Sequence, residues 1–184
     1  MIKSGPITIR LVSEDDVAIL SKWLTNPDVL YFYEGRDQPQ SPEQVRKQYM
    51  NHKDQRNQNC IVEYEDTPIG YIQFYPLTDQ EKKSTGYWKE TNVWGMDQFI
   101  GETHYWNKGV GTRLVSCMID YLTRELGAKA IVMDPQARNK RAIRCYEKCG
   151  FKKVSFLPRH ELHEGVYEDC WLVEYVSNDE TTGN

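Results

Sequence analysis

The sequence is short of several things. No stretch approaches the roughly 18 consecutive apolar residues of a membrane-spanning helix, so no membrane partner is expected. The opening MIKSGPITIR carries no apolar run of the kind a secretory signal needs. Charge of one sign is also missing: 23 Lys and Arg stand against 27 Asp and Glu, a formal net charge of -4. That gives no support to nucleic-acid binding, where a basic surplus is usual. No repeat, low-complexity tract or long linker divides the 184 residues. A single globular, soluble domain is therefore expected over residues 1–176, with the polar 177–184 as a disordered tail. The five cysteines are odd in number. Without a signal segment this suggests reduced thiols and a cytoplasmic protein.

Two of these cysteines, Cys145 and Cys149, precede His160 and His163 in a loose Cys2His2 order. Gly150 and the apolar run after it read instead as a helix stop followed by a strand, so no metal is expected.

What is present is a pattern of alternating elements. Ile7 to Val12 reads as a strand, and Ser13 with Asp16 as a near capping box before a helix carrying Val17, Leu20 and Leu24. Ser41-Pro42-Glu43 marks a second helix start, with Pro at the first helical position. Gln58 to Glu65 and Ile69 to Tyr75 read as strands about a turn at Asp66-Thr67-Pro68. Residues 77–92 read as a polar loop, and Val93 to Ile100 as a strand. From Gly109 to Leu126 an apolar stripe of Val110, Leu114, Cys117, Met118, Tyr121, Leu122 and Leu126 has helical spacing. A short strand follows over Ala128 to Met133, then a helix over Asn139 to Cys149. Strands over Phe151 to Leu157 and Tyr167 to Val176 complete the chain. The order predicts an α/β fold with a mixed sheet flanked by helices.

The turn Trp106-Asn107-Lys108-Gly109-Val110-Gly111-Thr112 lies between a strand and the long helix. Glycines let backbone approach a ligand closely, and the free N–H groups of a helix N-terminus favour an anion. Lys108 adds positive charge. A phosphate site and a plain loop-to-helix turn are both consistent with this segment, which lacks the spacing of a Walker A loop.

The run Lys108 to Thr112, followed about thirty residues on by Asn139-Lys140-Arg141-Ala142-Ile143-Arg144-Cys145-Tyr146-Glu147-Lys148-Cys149-Gly150-Phe151, resembles the two acetyl-CoA motifs of the GNAT acetyltransferases. The chain resembles more closely the aminoglycoside 6′-N-acetyltransferases, including the acetyltransferase half of the bifunctional acetyl-/phosphotransferases. That likeness rests on Trp23-Leu24-Thr25, Phe32 to Asp37, Pro68 to Tyr71, Gly95 to Glu102, His160 to Gly165 and Glu168-Asp169-Cys170. It implies a GNAT fold, acetyl-CoA as cosubstrate, no metal, a small-molecule aminoglycoside as acceptor, and a monomer or homodimer. GNAT proteins commonly carry Arg or Gln where this chain has Trp106. Its contribution to diphosphate binding must come from backbone N–H groups, Lys108 or elsewhere.

The resemblance also implies roles. Asp97 is the base for the amine or the carboxylate that positions it; read from the strand alone, it is equally a solvated polar residue. Tyr146 is the general acid to the CoA thiolate, or a core tyrosine on the stripe of Ala142 and Cys149. Backbone groups of Gln98, Phe99 and Ile100 pair with the pantetheine arm. Lys108, Gly109, Val110, Gly111 and Thr112 hold the diphosphate. Asn139 contacts CoA and also suits a helix N-cap. With no cysteine at an acyl-carrier position, transfer is expected to be direct, in a ternary complex.

An aminoglycoside is polycationic and needs carboxylates to meet its ammonium groups. Candidates are Glu34, Asp134, Glu168 and Asp169, with Tyr33 and Trp88 as aromatic walls. Acidic runs are also ordinary solvated surface. Alternative acceptors are a peptide, lysine or polyamine amine. A CoA-binding module without turnover is an alternative of another class.

Overall fold

The structure is a computed structural model that describes residues 1–50, 56–87 and 89–178. Its strands are β1 (Ile2–Ser4), β2 (Ile7–Leu11), β3 (Gln58–Tyr64), β4 (Thr67–Pro76), β5 (Val93–Ile100), β6 (Ala130–Met133), β7 (Lys152–His163) and β8 (Val166–Val176). Its α-helices are α1 (Val17–Trp23), α2 (Pro27–Leu30), α3 (Pro42–Tyr49), α4 (Asp79–Thr85), α5 (Val110–Asp120) and α6 (Lys140–Lys148). The strands form one sheet in the order β1-β2-β3-β4-β5-β6-β8-β7. Every pairing is antiparallel except β5 with β6. The expected mixed sheet with flanking helices is what the chain forms.

Two larger cores sandwich the sheet, and a smaller cluster holds Val93, Ala130, Val132 and Leu172. On one face α5 lays Val110, Leu114, Val115, Cys117 and Met118 against Ile72, Phe74, Met96 and Ile131. Burying each such aliphatic side chain contributes about 1.5–3 kcal/mol, so this stripe fixes α5 to the sheet. On the other face α1, α2 and α3 bury Leu20, Trp23, Leu24, Val29, Leu30 and Val45 against Ile61, Tyr71 and Phe99. Gly109 precedes α5 with a φ of 78°, a left-handed conformation open to glycine without Cβ strain.

The structure departs from the sequence reading in several places, beginning with two short elements that were not expected, β1 and α2. The expected loop over 77–92 holds α4. Thr78 accepts from the Glu81 amide as its N-cap, in a full capping box, and Gly86 closes the helix with a φ of 88°. No residue of α4 is buried, so there was no apolar stripe to reveal it. The stripe over 109–126 is α-helical only to Asp120 and ends in a π-helical turn, Tyr121–Glu125. The acidic segment after Leu157 is not a loop: β7 runs on to His163 and turns tightly into β8, with shifts of register at Lys153/Ser155 and Leu157/Glu161. Of the expected tail, 179–184 lies outside the described residues. No helix among the described residues is long and apolar enough to cross a membrane.

One feature of the sheet prepares the site. The parallel pairing of β5 with β6 ends at Gly95 with Val132. From Met96 to Ile100, β5 pairs with β4 alone. The side of β5 that faces away from β4 is thereby left to a cleft.

Candidate active site

That cleft has two halves. One, of about 470 Å³, runs between β5, the Trp106–Thr112 turn and α6. The other, of about 330 Å³, lies between β5, the end of β6, the loop after α2 and β7. Phe32, Tyr33, Gln98, Asn139 and Tyr146 line both and form the junction.

Asp97 stands in the smaller half. Its Oδ2 accepts from Gln73 Nε2 at 2.9 Å and from the Tyr75 hydroxyl at 3.1 Å. Register explains the first contact, since Gln73 lies directly opposite Asp97 in the β4–β5 ladder. Glycine explains the second: a Cβ at Gly95 would sit 2.5 Å from the Tyr75 ring. Burial raises the Asp97 pKa above the ordinary carboxylate value. Hydrogen bonds from Gln73 and Tyr75 oppose that rise, while the charges of Asp134 and Glu161 add to it.

Tyr146 stands at the junction, on α6. Its hydroxyl oxygen accepts from Gln98 Nε2 at 2.8 Å. The same Nε2 lies 3.5 Å from Met133 Sδ, which suits a donor nitrogen. The other amide atom, Gln98 Oε1, is buried with no hydrogen-bond partner among the described residues. Burial holds the Tyr146 phenol well above its ordinary pKa, so it is a protonated donor at neutral pH.

The remaining predicted residues divide. Gln98, Phe99, Ile100, Gly109, Gly111, Thr112 and Asn139 line the larger half. Asn139 also caps α6, its Oδ1 accepting from the Ala142 amide at 3.3 Å. Val110 is buried in the core, and Lys108 is exposed; neither side chain lines the cleft. Tyr33, Glu34 and Asp134 line the smaller half. Partial desolvation raises the Glu34 pKa, and the charge of Glu161 adds to the effect. Asp134 Oδ2 lies 2.8 Å from His160 Nε2. Glu168 and Asp169 do not line either half. Glu168 is 3.8 Å from Arg138 Nε, and Asp169 Oδ1 accepts from the Arg159 amide at 2.9 Å. Trp88 lies outside the described residues.

Residues to which sequence reasoning gave no role are Gln73 and Tyr75, the Gln98 side chain and Arg141; Glu161 reads in the sequence only as one of an acidic run with Glu164, Glu168 and Asp169. Glu161 faces the cleft and accepts from Gln136 Nε2 at 3.0 Å. Strand register and helix docking supply the partners of Gln73, Tyr75 and the Gln98 side chain; Gln98, Arg141 and Glu161 stand inside the quoted motif segments, which do not by themselves show where a side chain goes.

The charges in the two halves are segregated. Arg141, Arg144 and Lys148 line the larger half, with no Asp or Glu among the described residues. Glu34, Asp97, Asp134 and Glu161 line the smaller, with no Lys or Arg among the described residues. One half is built for an anion and the other for a cation, with Tyr146 and Gln98 where the two meet.

Residues 12–157 match the model of the GNAT acetyltransferase domain. The chain belongs to the GNAT acetyltransferase family. This acetyltransferase is 32% identical over 154 residues to aminoglycoside N(6')-acetyltransferase type 1 of Klebsiella pneumoniae, covering 80% of this chain and 74% of that relative. It is similar to the solved structure of AAC(6')-Ib in complex with ribostamycin and coenzyme A, with a TM-score of 0.76 and 27% identity over 97% of this chain and 98% of the other. The spermidine N-acetyltransferase of Vibrio cholerae in complex with CoA and spermine shares the fold, with a TM-score of 0.76 at 18% identity over 94% of this chain and 96% of the other. Within this acetyltransferase, the two segments that carry the family motifs, 108–112 and 139–151, converge on the cationic half of the cleft.

Proposed function

We propose that this acetyltransferase moves the acetyl group of acetyl-CoA to the 6′-amine of aminoglycosides. The observation that carries the reading is the charge division of one continuous cleft. A phosphate-rich acyl donor suits the cationic half, and a polycationic acceptor suits the acidic half.

The residues of the larger half fit the donor. The turn before α5 presents free N–H groups at a helix N-terminus, with Gly109 and Gly111 allowing close approach. The unpaired side of β5 from Gln98 to Ile100 offers a strand edge to an extended amide-bearing arm. Acetyl-CoA supplies an activated acyl group as a thioester.

Asp97 takes a proton from the ammonium of the acceptor. Its raised pKa makes it a stronger base than an exposed carboxylate, and its hold on Gln73 and Tyr75 keeps it aimed. Glu34, Asp134 and Glu161 engage the acceptor's other ammonium groups, with Tyr33 as a wall for a sugar ring. The freed amine bonds to the thioester carbonyl carbon and the C–S bond breaks; Tyr146 gives its hydroxyl proton to the departing thiolate, and the second proton released by the amine restores the phenol. Among the described residues no cysteine lines the acidic half, and Cys145 in the larger half is engaged by Thr112 at 3.6 Å, which supports direct transfer.

The test is CoA release with neomycin and with paromomycin, which carry an amine and a hydroxyl at the 6′ position. Release with neomycin alone supports 6′-N transfer. Equal release with both overturns the regiochemistry. Release only with spermine or a peptide overturns the acceptor class.

A further inference from the structure

Among the described residues, Arg141 is a cation without an anion. It lies in the first turn of α6, partly buried, and lines the donor half of the cleft. Among the described residues no carboxylate forms an ion pair with it. Its guanidinium instead stacks 3.8 Å from the centroid of the Trp106 ring, with Phe32 5.1 Å away. Trp106 is itself pinned, its indole N–H donating to the Ile100 carbonyl at 2.9 Å. Burial lowers the Arg141 pKa below the usual guanidinium value, the mark of a charge held where water solvates it poorly. A half-desolvated guanidinium, fixed in orientation and left unneutralised, is costly unless a ligand completes it.

The ring that holds Arg141 opens the turn that runs through Gly109, Gly111 and Thr112, and all line the same half. Lys108, the other cation of that turn, is exposed and outside it. We propose that Arg141, held on the Trp106 ring, is the cation that binds the diphosphate of acetyl-CoA, so that an aromatic platform and an arginine from α6 together do what a cationic or amide side chain at position 106 would do alone. This rests on the reading of the larger half as the donor site. A planar guanidinium keeps two N–H edges free while its face is stacked, which suits two-point contact with a diphosphate. Arg144 and Lys148, along the same wall, extend the positive field.

The test is titration calorimetry of the whole chain with CoA, which needs no acceptor and no turnover. Arg141→Met keeps the length and apolar contact of the side chain. It is expected to weaken CoA about 10-fold or more, the loss of one charge-assisted contact. The gap from the unmodified chain should narrow as salt rises from about 20 to about 500 mM, because screening removes only the charged part. Acetyl-pantetheine, with the same pantetheine arm and no phosphate, should titrate into the variant with an affinity changed by less than about twofold. Trp106→Leu, which frees the guanidinium, should weaken CoA in the same direction by less. Unchanged CoA affinity in Arg141→Met overturns the proposal. So does an equal loss with acetyl-pantetheine, which would make Arg141 a packing residue. If CoA titrates as expected but no aminoglycoside is acetylated, the acceptor reading fails and the Arg141 assignment stands.

Discussion

The Gln98 side-chain amide donates to the Tyr146 hydroxyl across 2.8 Å, so the phenol oxygen is held as an acceptor and its proton is left for another partner. If that partner is the departing thiolate, Gln98 works only through Tyr146. Tyr146→Phe is expected to lower kcat by about 10²-fold. Gln98→Met is expected to lower it by about 10-fold in the native background and by less than about twofold in Tyr146→Phe. A steady-state double-mutant cycle checks this. Multiplying effects would show that Gln98 acts independently of the tyrosine.

Asp97 carries a pH signature. Its pKa is raised by burial and by the nearby charge of Asp134, so the acidic limb of the kcat profile should lie above that of an ordinary carboxylate. Asp134→Asn removes one raising influence and should move that limb to lower pH. Stability follows the opposite sense. A folded pKa above the unfolded value means that folding is favoured by protonation and weakened as pH rises through the folded pKa. Asp97→Asn, which cannot ionise, should therefore gain in melting temperature relative to the native chain as pH rises, while losing turnover and keeping CoA affinity. Melting curves at several pH values test the first point; loss of CoA binding would contradict the placement of Asp97 on the acceptor side.

Much of this arrangement was legible in the sequence, and the rest depended on contacts that spacing does not encode. The stripe of α5 and the glycine turn before it read directly as helix and N-terminus. The helix α4 did not, because its capping box was sound but nothing in it is buried. Asp97 and Tyr146 could be named, yet their partners could not. Gln73 and Tyr75 reach Asp97 by strand register, and Gln98 reaches Tyr146 by the docking of α6 on β5. The acidic segment near the end was read by composition as one cluster. Folding splits it: Glu161 enters the cleft, whereas Glu168 and Asp169 are taken up by Arg138 and by the Arg159 amide.

Two walls of the acceptor half are tied at one point. Glu164, at the β7–β8 turn, receives Arg36 Nε at 2.6 Å, Arg36 Nη2 at 2.7 Å and the Arg36 amide at 2.9 Å. These bonds hold the Glu164 carboxyl down at a pKa of about 2. Arg36 follows Tyr33 and Glu34, so the tie sets how far those residues stand from Glu161. Glu164→Ala is expected to raise KM for the acceptor by about 3–10-fold, with kcat and CoA affinity nearly unchanged, because it removes orientation and not chemistry. A loss confined to kcat would place the tie in the reacting geometry instead.

The Arg10–Asp16 pair governs acid stability at the far side of the sheet. Arg10 Nη1 and Nη2 each approach a different Asp16 oxygen at 2.8 Å, and Arg10 Nε donates to Glu63 at 2.7 Å. The Asp16 side chain is 5% exposed and that of Arg10 27%. Burial would raise the Asp16 pKa, but hydrogen bonds from Arg10 and Ser13 outweigh it and the pKa is lowered. A depressed folded pKa contributes stability that is present above the unfolded carboxylate value and is lost as pH falls through the folded one. Arg10→Met leaves a buried carboxylate without its cation and should cost about 2 kcal/mol at neutral pH, less than the ~3–5 kcal/mol of a fully buried pair because Arg10 keeps contact with water. That deficit should shrink as the pH is lowered and Asp16 becomes protonated in the variant. Urea unfolding at pH 7 and near pH 4 separates the outcomes: a deficit that stays constant with pH would assign the loss to packing of the Arg10 stem against β3.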